Sequence, residues 1–105
     1  MDALKMAALV LALAAANLWA GADEGKEIFT KSCKACHGAE GQGNPAIAKM
    51  MKIEMKPLSS PEVQSHSDAD LKEIITKGKG KMKPITSLNA KQIDDVIAYI
   101  RTLKK

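Results

Sequence analysis

The chain has few aromatic residues: its 105 residues include one tryptophan, one tyrosine and one phenylalanine. Proteins that bind nucleic acid commonly stack bases on aromatic side chains, so this scarcity argues against such a partner despite a net charge of +4. It also leaves little material for a hydrophobic core in so short a chain. The composition therefore predicts one small domain whose side chains alone do not stabilise it, so that it needs a further stabilising element.

The chain also lacks an apolar run long enough to cross a bilayer. The longest run, Met6 to Ala16, has the length of the hydrophobic part of a secretion signal. Lys5 precedes it, and the small residues Ala20 and Ala22 form a cleavage pattern. We expect residues 1–22 to be a cleaved signal peptide and residues 23–105 to form a periplasmic domain. The alternative is an uncleaved membrane anchor, whereas a lipid anchor needs a cysteine that is missing near this point.

Only two cysteines and two histidines are present, and three of these four residues lie in one short run, Cys33-Lys34-Ala35-Cys36-His37. A Cys-x-x-Cys-His run is the attachment site of a c-type haem. Two thiols on one helical turn can bond the two vinyl groups along one edge of the porphyrin, and the next residue can place its imidazole under the iron. The run predicts one haem c, bound covalently through Cys33 and Cys36, with its iron ligated by His37.

Three other interpretations of the two cysteines are weaker. A thioredoxin-like redox pair needs a strand-helix-strand setting, and no strand pattern flanks Cys33. A zinc site would have to combine Cys33, Cys36, His37 and His66, although His37 adjoins Cys36, which is poor tetrahedral spacing. A simple disulfide in an exported protein remains possible by spacing alone, but it would leave His37 without a role.

The apolar spacing of the mature chain predicts three helices and no strands. We expect Asp23 to cap the first helix, which runs into the haem motif. Ser67-x-x-Asp70 reads as a capping box that opens the second helix, and Gly78 ends it. Asn89-x-x-Gln92 opens the last helix. Its apolar stripe consists of Ile93, Val96, Ile97, Ile100 and Leu103. Residues 38–66 are expected to be a long loop that holds a short helix over residues 47–55.

With the haem motif at its start, this pattern resembles the class I c-type cytochromes, especially the small soluble bacterial members with one haem and His/Met ligation. The likeness covers the whole mature chain. It implies an all-α cytochrome c fold in which three main helices and their loops wrap around one haem. In that family the first and last helices cross through a small residue and aromatics. Gly25 and Phe29 on one helix, and Val96 and Tyr99 on the other, occupy the matching positions.

The resemblance also implies the second iron ligand, Met82. The run Lys77-Gly78-Lys79-Gly80-Lys81-Met82 is similar to the glycine-lysine loop that carries this ligand in the family. Glycines after a helix let the backbone turn sharply enough to place a thioether over the iron. Here Lys83 separates Met82 from Pro84, whereas many members have the proline directly after the methionine. Pro45 matches the proline whose carbonyl accepts a hydrogen bond from the ligating histidine.

The remaining methionines and the second histidine have less specific roles. We expect Met50, Met51 and Met55 to line the distal haem face as flexible apolar side chains. His66 lies between two serines just before a helix cap, and we expect it at the surface.

Histidine and methionine together fill both axial positions and leave no site for oxygen or peroxide. The sequence therefore predicts an electron-transfer protein, not an enzyme: a periplasmic single-electron carrier that cycles Fe(II)/Fe(III) between a membrane-bound reductase and a terminal oxidase or reductase. The alternative is a small peroxidase-like haem enzyme, or a redox or gas sensor with a labile sixth ligand. It is disfavoured because no distal acid/base pair is apparent.

The basic charge predicts acidic redox-partner proteins and transient docking of a monomer to membrane-bound redox complexes. We expect a ring of lysines around the exposed haem edge to steer these encounters. The candidates are Lys34, Lys49, Lys52, Lys56, Lys77, Lys79, Lys81 and Lys83. The C-terminal Lys105 is expected to matter little.

Overall fold

The computed structural model describes residues 21–105, and this part of the chain is mostly helical. Its six helices are α1 (residues 21–32), α2 (Lys34–His37), α3 (Pro45–Met51), α4 (Pro61–Gln64), α5 (Asp68–Lys77) and α6 (Ala90–Thr102). Within these residues the β-type pairing consists of a single bridge between Lys79 and Met82. The predicted all-α class is confirmed. Almost all of the predicted signal peptide lies outside the described residues.

The predicted capping box is complete at α6, whereas at α5 only its Ser67 half is formed. At α6 the Asn89 side chain accepts from the Gln92 backbone N–H at 2.8 Å, and the Gln92 side chain accepts from the Asn89 N–H at 2.9 Å. At α5 the Ser67 hydroxyl accepts from the Asp70 N–H at 3.1 Å, and Gly78 ends the helix. The expected cap at Asp23 is wrong, because α1 is already helical at residue 21.

Helices α1 and α6 cross at Gly25. A Cβ atom at this position would overlap the backbone carbonyl of Asp95, so only glycine lets the two helices approach this closely. Next to the crossing, Phe29 and Val96 are 1% and 0% exposed. The rings of Phe29 and Tyr99 lie 5.2 Å apart at an interplanar angle of 58°. The crossing of the first and last helices is therefore as expected.

The core is built by α1, α5 and α6. Its buried members are Phe29, Leu71, Ile75, Ile93, Val96, Ile97, Tyr99 and Ile100. Leu103 completes the predicted stripe of α6 from a partly buried position at the edge of this core. No helix within residues 21–105 is both long and apolar enough to cross a membrane.

The connection between α2 and α5 differs from its prediction. The helix expected over residues 47–55 is α3, which begins at Pro45 and ends at Met51, because Lys52 adopts a left-handed conformation with φ of 56°. Helix α4 was not predicted. It begins at Pro61, and Gln64 at its end donates to the carbonyls of Leu58 and Ile100 at 2.8 and 2.9 Å. The bond to Ile100 is a tertiary contact, which a local sequence pattern does not contain.

The same connection is fastened to α6 by Arg101. Its guanidinium donates to the His66 carbonyl at 2.6 Å, to the Gln64 carbonyl at 3.1 Å and to the Asp68 carboxylate at 2.8 Å. Arg101 thereby joins the end of α4 and the start of α5 to the last helix.

Candidate functional site

The predicted haem motif forms one helical turn at the end of α1. The Cys33 N–H donates to the Phe29 carbonyl at 2.8 Å, which continues the hydrogen bonding of α1 into the motif. The Cys33 carbonyl in turn accepts from the N–H groups of Cys36 and His37 at 3.3 and 3.0 Å. Cys33 and Cys36 are free, partly buried thiols, and Cys33 packs against the core. The three residues therefore share one turn, as the spacing predicts.

Burial favours the uncharged forms of Cys33 and His37. It raises the pKa of Cys33 to about 11, with the neighbouring Cys36 adding to the effect, and it lowers the pKa of His37. A neutral imidazole has a free electron pair for a metal, whereas a protonated one does not. His37 Nδ1 is buried and has no hydrogen-bond partner, so the expected bond to the Pro45 carbonyl is not formed. A neutral imidazole on the same turn as two free thiols is the donor set that a covalent haem requires.

The loop after the motif folds back on this turn. The Gly38 N–H donates to the Lys34 carbonyl at 2.8 Å, and the Gly43 N–H donates to the His37 carbonyl at 2.7 Å. Gly38 and Gly43 have φ of 83° and 94°, which glycine adopts without strain. The Asn44 side chain donates to the Ala35 carbonyl, inside the motif, at 3.0 Å. Sequence reasoning missed Asn44, although an asparagine before a proline at a helix start is a recognisable cap signal.

Met82 lies in a tight turn beyond α5. Lys79 and Met82 exchange backbone hydrogen bonds of 3.1 and 2.9 Å around Gly80, whose φ is 57°. Gly78 also has a positive φ of 77°, and a Cβ there would lie 2.5 Å from the Met82 carbonyl oxygen. The glycines thus have the role that the sequence predicts: they allow the chain to reverse directly after the helix.

The segments that carry Cys33 and Met82 are anchored to the same core. Cys33 packs against it, and so does Ile85, whose N–H donates to the Ile75 carbonyl at 2.8 Å. No hydrogen bond or ion pair joins the two segments to each other in the described part of the chain. Their common support is the surface formed by α1, α5 and α6.

The other methionines and the second histidine differ in how far they are exposed. Met50 is 68% exposed, whereas Met51 and Met55 are partly buried. The Met55 sulfur would lie 3.6 Å from a Cβ placed on Gly43, so it packs beside the loop that follows the motif. The His66 side chain is 36% exposed, with Nδ1 3.7 Å from the Asp70 carboxylate, which agrees with the expected surface position. Within residues 21–105, no three histidine, cysteine or acidic side chains are grouped so as to hold a metal ion.

Of the eight lysines predicted to surround the haem edge, three line clefts, and the two clefts share no residue. One cleft, of about 620 Å³, borders the haem motif and is lined by Lys26, Lys34, Lys104 and Lys105, with Glu40 as its only acidic residue. We call it the basic cleft. The other contains Lys77 and Lys79 together with Asp70 and Glu73, so its charge is mixed. The placement of Lys105 beside Lys34 was not expected, because the two residues are far apart in sequence.

Comparison with known proteins gives consistent results. The profile of the Cytochrome c family matches residues 22–104. The chain is 34% identical to cytochrome c-555 of Methylococcus capsulatus over 104 residues, which cover 91% of this chain and 77% of that protein. It is also 34% identical over 85 residues to the Cbb3-type cytochrome c oxidase subunit CcoP of Azospirillum brasilense, covering 80% of this chain and 26% of that subunit.

Among solved structures, the chain is similar to the KustC0563 c-type cytochrome. The TM-score is 0.66 at 24% sequence identity, and the match covers 77% of this chain and 98% of the other. At this identity the likeness concerns the fold, and it confirms the fold that the sequence predicts.

Proposed function

The chain belongs to the cytochrome c family, and from this premise we propose that it is a periplasmic carrier that moves single electrons between a membrane-bound reductase and a terminal oxidase or reductase. The family membership establishes electron transfer with haem c. The periplasmic location is supported by the signal-like residues 1–22, and the nature of the partners by the basic charge. The observation that carries the proposal is the turn holding two free thiols and the partly buried ring of His37.

The residues of this turn have separate roles in the proposal. When bound, haem c supplies an iron that exchanges one electron. Cys33 and Cys36 would hold the group by thioether bonds, and His37 would supply one ligand to its iron. Met82 would supply the other, supported by a glycine turn that leaves its side chain partly buried. Two protein ligands would leave the iron no coordination site for a substrate, which favours a carrier over an enzyme.

The rigidity of the turn also suits a carrier. Cys33 is hydrogen-bonded to the end of α1 and packs on the core, and the carbonyls of Lys34, Ala35 and His37 all have partners in the following loop. An electron carrier works best when its surroundings change little between oxidation states. These contacts limit movement of the residues proposed to hold the haem.

A single preparation tests both attachment and ligation. The protein, produced with a haem maturation system, should retain its haem through acid–acetone extraction and show the weak sulfur-to-iron band of Met–Fe(III) ligation near the red end of the visible spectrum. Met82→Ala should abolish that band, lower the reduction potential and admit external ligands. Met50→Ala, at a largely exposed methionine, is the matched control and should leave the band unchanged. Rapid cyanide binding and peroxide turnover by the unmodified protein would favour the enzyme instead.

We further propose that acidic partners dock at the basic cleft. Within the described residues none of its four lysines takes part in an ion pair, so their charge is available to a partner. Lys34 lies inside the haem motif, which places the cleft beside the proposed point of electron entry. In the mixed cleft, by contrast, Lys77 is paired with Glu73 at 3.2 Å. The basic cleft should therefore attract an acidic surface more strongly than the mixed cleft does.

Docking is tested by measuring how the rate of oxidation of the holoprotein depends on ionic strength. Hexacyanoferrate(III) serves as an anionic oxidant and tris(phenanthroline)cobalt(III) as a cationic one. Charge steering is screened over about 8–10 Å at physiological salt. The rate of oxidation by the anion should fall as the salt concentration rises. In Lys34→Glu or Lys105→Glu, the slope of this fall should be severalfold smaller. Lys72→Glu is the matched control, since Lys72 is exposed and lines neither cleft. Equal slopes for all three variants would place the docking surface elsewhere without affecting the proposed ligation.

A further inference from the structure

Asn44 uses both ends of its side chain, and each end holds a different element. Its Oδ1 accepts from the N–H groups of Ala46 and Ile47 at 3.1 and 3.4 Å, which caps the start of α3. Its Nδ2 donates to the Ala35 carbonyl at 3.0 Å, inside the haem motif. One amide group therefore links the turn that carries His37 to the next helix.

The motif depends on this link because α2 is only four residues long. The carbonyl groups of so short a helix have no acceptor role within it, and each needs a donor from outside. The backbone N–H groups of Gly38 and Gly43 serve Lys34 and His37. Of the other two carbonyls, that of Cys36 accepts from no protein donor within residues 21–105, whereas that of Ala35 accepts from Asn44. This is the only side-chain hydrogen bond made to the motif in the described part of the chain.

The direction of the His37 ring follows from the orientation of this turn. His37 Nδ1 has no hydrogen-bond partner of its own, so the ring is not fixed by a bond to a protein acceptor at that atom. The backbone of α2 sets the position from which the ring extends, and that backbone is held by the loop and by Asn44.

We infer that Asn44 is a positioning residue: by binding the Ala35 carbonyl while capping α3, it fixes the orientation in which His37 is presented to the haem iron. The inference rests on the proposed role of His37 as an axial ligand. It assigns to Asn44 a task that its capping bond alone does not require, because a cap needs only the acceptor Oδ1.

Two variants separate the tasks. Asn44→Ser keeps an acceptor for the cap and removes the amide donor. Asn44→Asp keeps the shape and the cap but turns a second oxygen towards the Ala35 carbonyl, so its effect should be larger. Gln42→Glu controls for charge, since it adds a carboxylate on the same loop and retains the acceptor used by the Glu40 N–H. Asn89→Asp makes the same substitution at the cap of α6, where the described contact is with the Gln92 N–H alone.

The measurement is proton NMR of the ferric holoprotein, in which the hyperfine-shifted signals of the haem methyls and the His37 ring report the ligand orientation. Both Asn44 variants should move these signals, whereas Gln42→Glu and Asn89→Asp should not. Loss of one neutral hydrogen bond corresponds to about a fivefold change in an opening equilibrium, so amide exchange at His37 and Gly38 should become about fivefold faster in Asn44→Ser.

Different results overturn different statements. If the Asn44 variants exchange faster but keep the hyperfine pattern of the unmodified protein, Asn44 stabilises the loop and does not position His37. If Gln42→Glu moves the signals as much as Asn44→Asp, charge explains the effect and the inference is wrong. If the unmodified protein shows no histidine signals at the iron, the proposed ligation itself is wrong. Should Asn44→Asp fail to mature, Asn44→Ser still decides between these outcomes.

Discussion

The crossing of α1 and α6 and the two loops proposed to bind the haem are held together in different ways. The crossing depends on close packing, with Gly25 against the Asp95 backbone and Phe29 and Val96 almost fully buried. The loops depend on backbone hydrogen bonds and on glycines in the left-handed region, such as Gly38 and Gly78. An error in the first region should therefore destabilise the whole domain, while an error in the second should first disturb the ligands.

The largest effect is expected at the crossing. Gly25→Ala should cost about 3 kcal/mol in the free energy of unfolding, because the added methyl group can be accommodated only if the helices separate. Helix propensity alone would predict the opposite, a gain of about 1 kcal/mol. Guanidinium unfolding of the holoprotein measures the difference. A stabilised Gly25→Ala variant would mean that the two helices are not in close contact at this point.

A smaller effect on stability, with a clear effect on the site, is expected at the end of α5. Gly78→Ala forces a left-handed conformation on a residue with a Cβ, at about 1–2 kcal/mol, and brings that atom against the Met82 carbonyl. The sulfur-to-iron band should weaken while the helical circular dichroism is retained. Gly80→Ala is the control: its φ is also positive, but a Cβ there meets nothing within 4 Å, so strain without the clash should leave the band in place.

The smallest effect is expected at a helix start that lies outside both regions. Asn89→Ala removes the capping box of α6 and should cost about 1 kcal/mol. Thermal unfolding followed at 222 nm should show the loss, while the visible spectrum stays unchanged. A change in the visible spectrum would show that the start of α6 is coupled to the haem loops, and the comparison between the two regions would then need to include it.

The same division explains what the sequence could predict. The stripe from Ile93 to Ile100 and the box at Asn89 are periodic or local signals, and α6 has the predicted form. The Cys-x-x-Cys-His run indicates its chemistry directly, and the motif turn follows from its spacing. Helix α3 ends four residues earlier than expected because Lys52 adopts a left-handed conformation. Lysine rarely adopts this conformation, so the sequence does not indicate it.

Tertiary contacts account for the rest. Helix α4 depends on the hydrogen bonds of Gln64 to Leu58 and Ile100, and the basic cleft depends on the approach of the C-terminus to the motif. Lys34 and Lys105 could not be assigned to one surface from the sequence, because the residues around each of them do not indicate that the chain brings the two together. Asn44 was missed for the same reason: its cap is local, but its bond to Ala35 is formed only when the loop has folded back.

Arg101 affects the chain's entropy as well as its contacts. A long connection with only two short helices gains many conformations when it is released, and that gain favours unfolding. The bonds of Arg101 to Gln64, His66 and Asp68 tie the far end of this connection to α6, so residues 38–66 cannot fray from that end while α6 is formed. A lysine could not replace it, because a single ammonium group lacks the planar set of donors that reaches three acceptors on two elements. Protease cleavage at the α4 end of this connection should therefore report the unfolding of α6.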